Sequence, residues 1–508
     1  MRKLLISCAA IAWLASAQSV NPDQRARLPR EIQDVIDQAP AASPELAADI
    51  LLRLVEAGKV PNKKLKTEIL EQVFALAESA HYAMRLAGAT SSHTDSDVGI
   101  LVAALGNRLD ALSLRCRVVR LMLDIDRKRA LELFQSMPPL RFPRLSCSDA
   151  MVYRPEEFYS TLKILVDRAF DAGEKRDGKH LEFAESFVHG MISPAQLEPA
   201  ARMMFDLHLD KKELAPMLLA YGIAQRQVSA DDRSFSSSTN YSLMQTLIEL
   251  ARLSEQKGVS SFSMVDAFRA YFVRHMRGDR CEDNADPRGT GSVLHRIAES
   301  FNSNLLPVAD PEGKQIQPIK ADDMEAGKVE GRAAVYHFWA KPRTQKLLED
   351  LKHLRFGTPE QQEENNKKAP RPDGVSQFLT VEQRSELSWQ REAREYLNNV
   401  ENWKKDHDET EENYFHQVCF IYTPLLELVP PGQLWDSVLQ SYVAFLSQSV
   451  VQKASPPEWY LHVSRLMKLQ GADATTREKV LETMKTRGDI VMAIYVGLEH
   501  VAPLNAAR

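Results

Sequence analysis

The stretch from Ser43 to Met137 constrains the fold most, because it holds paired helix signals joined by short turns and contains no catalytic motif. Ser43 before Pro44 reads as an N-cap followed by proline at the first helical position, where its missing N–H costs nothing. Leu46, Ala47, Ile50, Leu51, Leu54 and Val55 then fall on one half of a helix wheel, and Gly58 near Pro61 ends the run. From Asn62 to Ala80, Leu65, Ile69, Leu70, Val73, Phe74, Leu76 and Ala77 fill one half, with Glu68, Glu71, Gln72 and Glu78 on the other. A third helix, Leu109 to Leu123, is apolar over more than half its circumference and leaves a polar strip of Asp110, Ser113, Arg117 and Arg120, so neighbours should cover it on both sides. Asp124 or Asp126 caps a fourth, Lys128 to Met137, which Pro138 and Pro139 end. Hairpins with apolar faces this wide bury them only by stacking on one another. The expected fold is therefore all-α, an α-solenoid-like array of antiparallel helical hairpins, with an irregular helical bundle or an α/α toroid as alternatives.

The N-terminus bounds the compartment. Arg2 and Lys3 precede an apolar run, Leu4 to Leu14, and Ala15-Ser16-Ala17 supplies the small residues a signal peptidase reads. Residues 1–17 are expected to be a signal peptide cleaved between Ala17 and Gln18, delivering an exported protein to the periplasm or the extracellular space. The run is shorter than the roughly 20 residues a membrane span needs, and no other segment reaches that length. A formal charge of −5 is small for 508 residues and argues against nucleic acid as the main partner.

The rest of the chain keeps the helical grammar. Glycine, 21 of 508 residues, is scarce, and alternating strand patterns are isolated. We divide the chain into a helical-hairpin array over 18–306, an irregular bridging segment with one helix over 307–356, a flexible linker over 357–376 and a C-terminal helical region over 377–508. The linker rests on Gly357 to Gly374, where Ala369 is the one apolar residue among Gln, Glu, Asn, Lys and Pro. Thr380 with Gln383 makes a capping box for a long helix to about Trp403, and Thr475 with Glu478 caps another.

Few residues gather into chemistry. Gly173 to Lys179 matches a phosphate-binding loop except that His180 replaces the Ser or Thr, and a helix precedes it where a strand is needed, so it reads as a charged turn. Glu185 and His189, four apart, suit an exposed ion pair better than a metal, even with His180 nearby. Asp406 to Glu409 reads as a solvated helix end, and the acidic loop with Asp279, Glu282, Asp283 and Asp286 lacks calcium-hand spacing. No catalytic, cofactor-binding or metal-ligating residue is assigned, and no cofactor is expected. Trp389, Trp403, Trp435 and Trp459 form a speculative aromatic binding surface in the last third. The competing reading is packing, since Trp389, Ala393, Tyr396, Val400 and Trp403 recur as a seam against a neighbouring helix. In an oxidising compartment Cys147 and Cys281, both in polar loops, are the disulfide candidate, whereas Cys116 and Cys419 sit on apolar helix faces that suit buried thiols.

These features favour an exported, non-catalytic helical-repeat protein that binds a protein or peptide partner or acts as an assembly scaffold. The alternative is a secreted carbohydrate-active enzyme, a glycoside hydrolase or polysaccharide lyase on an α/α toroid, which would need converging carboxylates or a basic side chain that sequence cannot select among 69 acids.

Overall fold

The computed structural model describes residues 28–88, 95–143, 145, 151–229, 237–277, 280–281, 292–324, 329–330, 336–368, 378–448, 456–469 and 473–503. The fold is all-α. In chain order the helices begin with α1 (Arg30–Gln38), α2 (Pro44–Glu56) and α3 (Lys63–Leu76), then α4 (Asp97–Leu105), α5 (Ala111–Leu123) and α6 (Arg127–Ser136). Next come α7 (Glu156–Arg168), the short α8 (Ala172–Arg176), α9 (Lys179–His189), α10 (Leu197–Asp206), α11 (Lys211–Gln227), α12 (Ser237–Gln256), α13 (Phe262–Arg277), α14 (Val293–Ser300) and α15 (Leu306–Ala309). The series ends with α16 (Pro342–Phe356), α17 (Pro359–Lys368), α18 (Val381–Arg384), α19 (Leu387–Glu401), α20 (Glu411–Leu428), α21 (Gln433–Gln448), α22 (Pro456–Met467), α23 (Ala474–Arg487) and α24 (Ile490–Val501). Strand is confined, among the described residues, to an antiparallel pairing of Leu86–Gly88 with Met151–Tyr153 and a parallel one of Arg280–Cys281 with Val329–Glu330.

Side-chain caps set many of the starts. Asp110 accepts from the Ser113 N–H, so it is the N-cap of α5 and not part of its polar strip. Asp126, not Asp124, caps α6. Capping boxes at Asp171/Glu174 and Asp210/Glu213 open α8 and α11. Ser43 occupies the N-cap position of α2, but its hydroxyl makes no capping bond and is buried without a partner. Asp473, through the Thr476 N–H, caps α23 in place of the expected Thr475.

The chain separates into two compact units. Of the described residues, one comprises those within Val60–Ser91 and Arg108–Ala334, the other those within Ala26–Lys59, Ser92–Asn107 and Val335–Arg508. The expected first hairpin is thus divided, α2 joining the second unit and α3 the first.

In the first unit, α5 pairs with α6, α7 with α9 and α10 with α11 as hairpins, and helices also pack on the corresponding helices of the next hairpin. Helices α3, α5, α7, α10, α12 and α14 follow one another in one row, and α9, α11 and α13 in a second. Phe134 of α6 meets Phe183 and Phe187 of α9 and Phe158 of α7, which places α6 at the head of the second row. Neighbours within a row run the same way. His180 approaches Glu213 where α9 and α11 start, and the Ser229 N–H donates to the Ile192 carbonyl past their ends. On α10 and α12, Glu198 faces Thr246 and Arg202 faces Glu249. As expected, α5 is covered on several sides, with Leu112, Leu114, Cys116, Val118, Val119 and Met122 all buried.

The second unit joins distant parts of the chain. Helices α1 and α2 pack on α24, and α4 packs on α22. Phe338, fully buried, sits with Ile100, Ala104 and Leu461. Helix α17 spans Pro359–Lys368, inside the segment expected to be a linker, and the Asn365 side chain pairs with Gln383. Residues 369–377 lie outside the described residues. The single long helix expected after Thr380 is divided into α18 and α19, because the Ser385 hydroxyl donates to the Val381 carbonyl and Glu386 is extended.

Candidate functional site

The residues singled out from sequence go to different places. Trp389, Trp403, Trp435 and Trp459 are all buried, so the speculative aromatic surface is corrected to core. Their surroundings give the reason: the Trp389 Nε1–H donates to the Leu354 carbonyl and the Tyr396 hydroxyl to the Leu347 carbonyl. Trp389, Ala393, Tyr396, Val400 and Trp403 are thus buried in line, the first two turns of that line facing α16. Trp339, the other tryptophan among the described residues, is exposed, with its indole N–H held by Asp95 at 2.9 Å.

Cys116 and Cys419 are buried free thiols, and burial pushes the Cys116 thiol up to about 12. Cys147 lies outside the described residues, as do Ala17 and Gln18; Cys281 sits at the end of its two-residue strand, and no disulfide is present among the described residues. The Gly173 to Lys179 segment forms α8 and the turn into α9, with Gly178 left-handed at φ +79°. Glu185 and His189 make an exposed pair at 3.3 Å, while His180 is buried and faces Glu213 instead. Of Asp406 to Glu409, Asp408 pairs with Lys341, but Glu409 is buried and accepts from the Gln417 amide. Among the described residues no three His, Cys, Asp or Glu side chains converge on a metal position. The acids Asp279, Glu282, Asp283 and Asp286 lie outside them.

In the first unit a shallow depression of about 620 Å³ is lined by Asp124, Arg127, Asp167, Arg168, Phe170 and Asp171. Its carboxylates are engaged: Asp124 with Arg168 at 2.5 Å, Asp167 with Lys163 at 2.7 Å, Asp171 with the N–H groups of Gly173 and Glu174. Those amide donors hold the Asp171 carboxyl below the ordinary range.

The outward face of α11 differs. Ala215, Pro216, Leu219 and Ile223 are exposed in line along it, spaced so that they share one side of the helix, while Leu214, Met217, Leu218 and Tyr221 are buried on the other. Leu219 is 53% and Ile223 41% exposed, and Ile192, 52% exposed, sits beside the end of the same helix. The face is rigidly backed. A Cβ at Gly222 would lie 2.8 Å from the Ser263 carbonyl oxygen, so α11 and α13 touch backbone to backbone, and Arg226 pairs with Asp266 beside that contact. Periodicity alone hides this stripe, because a helix apolar on all sides is expected to be buried on all sides.

One buried side chain of α11 is unsatisfied: neither amide atom of Gln225 has a hydrogen-bond partner. Leaving a buried amide unpaired costs about 1–3 kcal/mol. Gln225→Met is therefore expected to stabilise the protein by about that amount, read as an increased urea midpoint with an unchanged slope.

Two buried polar centres occupy the second unit. In one, Arg53 donates to Glu499 at 2.5 Å and to the Ala502 carbonyl at 2.7 Å, and Arg477 reaches the second Glu499 oxygen at 3.0 Å. In the other, His416 links Glu458 to His462, which sit on α22. Comparison with known proteins gives no family model and no curated protein that matches this chain.

Proposed function

We propose that this is an exported, non-catalytic helical-repeat protein whose α-solenoid-like array presents the outward face of α11 to a protein or peptide partner. The observation that carries the reading is the line Ala215, Pro216, Leu219 and Ile223, apolar and exposed on a helix held on both flanks by its row neighbours. Apolar side chains gathered in one exposed stripe, continued by Ile192, are the usual mark of a recognition surface. The row-on-row packing of the first unit supports the solenoid reading, since such stacks offer long continuous faces for partners. No helix among the described residues is long and apolar enough to cross a membrane. The carbohydrate-active alternative draws no support from the depression beside Asp124, whose acids are tied up in ion pairs and a helix cap.

Leu219→Asp with Ile223→Asp places two charges on the stripe. The expected outcome is loss of partner co-purification with stability changed by no more than about 0.5 kcal/mol per site, because both side chains are exposed. Undiminished co-purification with the doubly substituted protein would move the binding surface elsewhere. Export is tested separately: N-terminal sequencing of the mature protein is expected to begin at Gln18, and a retained Met1 contradicts it.

A further inference from the structure

The hydrogen-bonded chain Glu458–His416–His462 has room for one added proton and not for two. His416 Nε2 lies 2.8 Å from Glu458 Oε2, and His416 Nδ1 lies 3.1 Å from His462 Nε2. His462 Nδ1 is buried and has no partner. A carboxylate only accepts, so His416 carries a proton on Nε2. With the pair neutral, His416 Nδ1 accepts from His462 Nε2–H, and both contacts are satisfied. One further proton, taken from solvent, makes one ring an imidazolium while a single proton still lies between the rings, so both contacts survive. A second proton puts N–H groups on both sides of the 3.1 Å gap and two like charges on rings whose centroids are 5.3 Å apart. The contact between α20 and α22 is then repulsive.

Among the described residues, the charges that act on His462 are both cationic. Arg465 acts on His462 from its own helix and is positive, His416 acts from α20, and Glu458 reaches His462 only through His416. From α4 and the turn at Phe338 the neighbours are apolar, Ile100 and Ala104 packing with Leu461. From α20 and α21 they are Phe415, edge-on to His462, and Phe445 stacked on Phe415.

We propose that His416 and His462 form an acid-responsive latch in the second unit, closed with one shared proton or none and forced open when both rings are charged. Burial, with the nearby His416 and Arg465, holds the His462 imidazole well below its ordinary range, consistent with a ring that stays neutral in the closed state. The sign follows. A histidine kept neutral when folded but free to protonate near pH 6.5 when unfolded contributes stability above that pH and loses it as pH falls below it.

The test compares full-length wild type with His462→Gln, whose amide can still donate to His416 Nδ1 but cannot be protonated. Between pH 7 and pH 5 the thermal midpoint of the wild type is expected to fall by about 4 °C more than that of the variant, the shift one differential proton gives in a unit of this size. Superimposable pH profiles overturn the proposal. Should the variant fail to fold, wild type labelled with 15N-histidine decides: His462 remaining neutral below pH 5.5 supports the latch, and its titration near 6.5 rules it out.

Discussion

Glu499→Gln is expected to destabilise the second unit by about 3–5 kcal/mol, the usual loss when one member of a buried ion pair is removed. The side chains of Arg53 and Glu499 are 5% and 1% exposed, and Asp49, buried one turn before Arg53, accepts from Tyr495. Burial works against the Arg53 charge, but Asp49, Tyr460 and Glu499 outweigh it and raise its pKa. Glutamine keeps the shape and leaves that guanidinium short of a charge partner in a medium where water cannot screen it. Urea unfolding followed by tryptophan fluorescence measures this directly, since all four buried tryptophans lie in this unit. A loss under about 1 kcal/mol for Glu499→Gln would mean that Asp49 alone suffices to balance Arg53.

Gly222→Val is expected to cost about 3 kcal/mol in the first unit, the upper part of the range for overpacking a filled core. The added carbons meet the Ser263 carbonyl oxygen and carbon, at 2.8 and 3.0 Å from the Cβ position, and both are backbone atoms that no rotamer change can move aside. Glycine inside a helix itself costs about 1 kcal/mol relative to alanine, so Gly222→Ala shows the balance: a net loss is expected because the clash exceeds the gain in propensity. Thermal unfolding by circular dichroism checks both, and stabilisation by alanine would contradict the backbone contact.

The helices were legible in the sequence because caps and apolar periodicity are local signals, as at Asn62, Asp126 and Thr380. The partition into units was not. Arg53 and Glu499 are 446 residues apart, and Glu45, Asp49 and Arg53, charged residues of α2, are all buried. A polar face at helical spacing signals solvent only when no partner arrives from elsewhere in the chain. The same limit applied to Gly357 to Gly374, where a charged, apolar-poor composition matched a linker yet α17 forms over part of it and Asn365 finds Gln383. The tryptophans show the converse: the seam from Trp389 to Trp403 was readable as packing, and it is packing. The α11 stripe was hidden by its own regularity, since which apolar side of a helix remains uncovered depends on how many neighbours its row supplies. His416 and His462, on different helices, gave no motif at all.

Binding through the outward face of α11 is tested most directly by photo-crosslinking in the cells that make this protein, with benzoylphenylalanine placed in turn at Leu219, Ile223 and, as an equally apolar exposed control in the other unit, Leu387. The account predicts one discrete adduct from positions 219 and 223 and none from 387. No adduct from the two α11 positions, or the same adducts from all three, would contradict it.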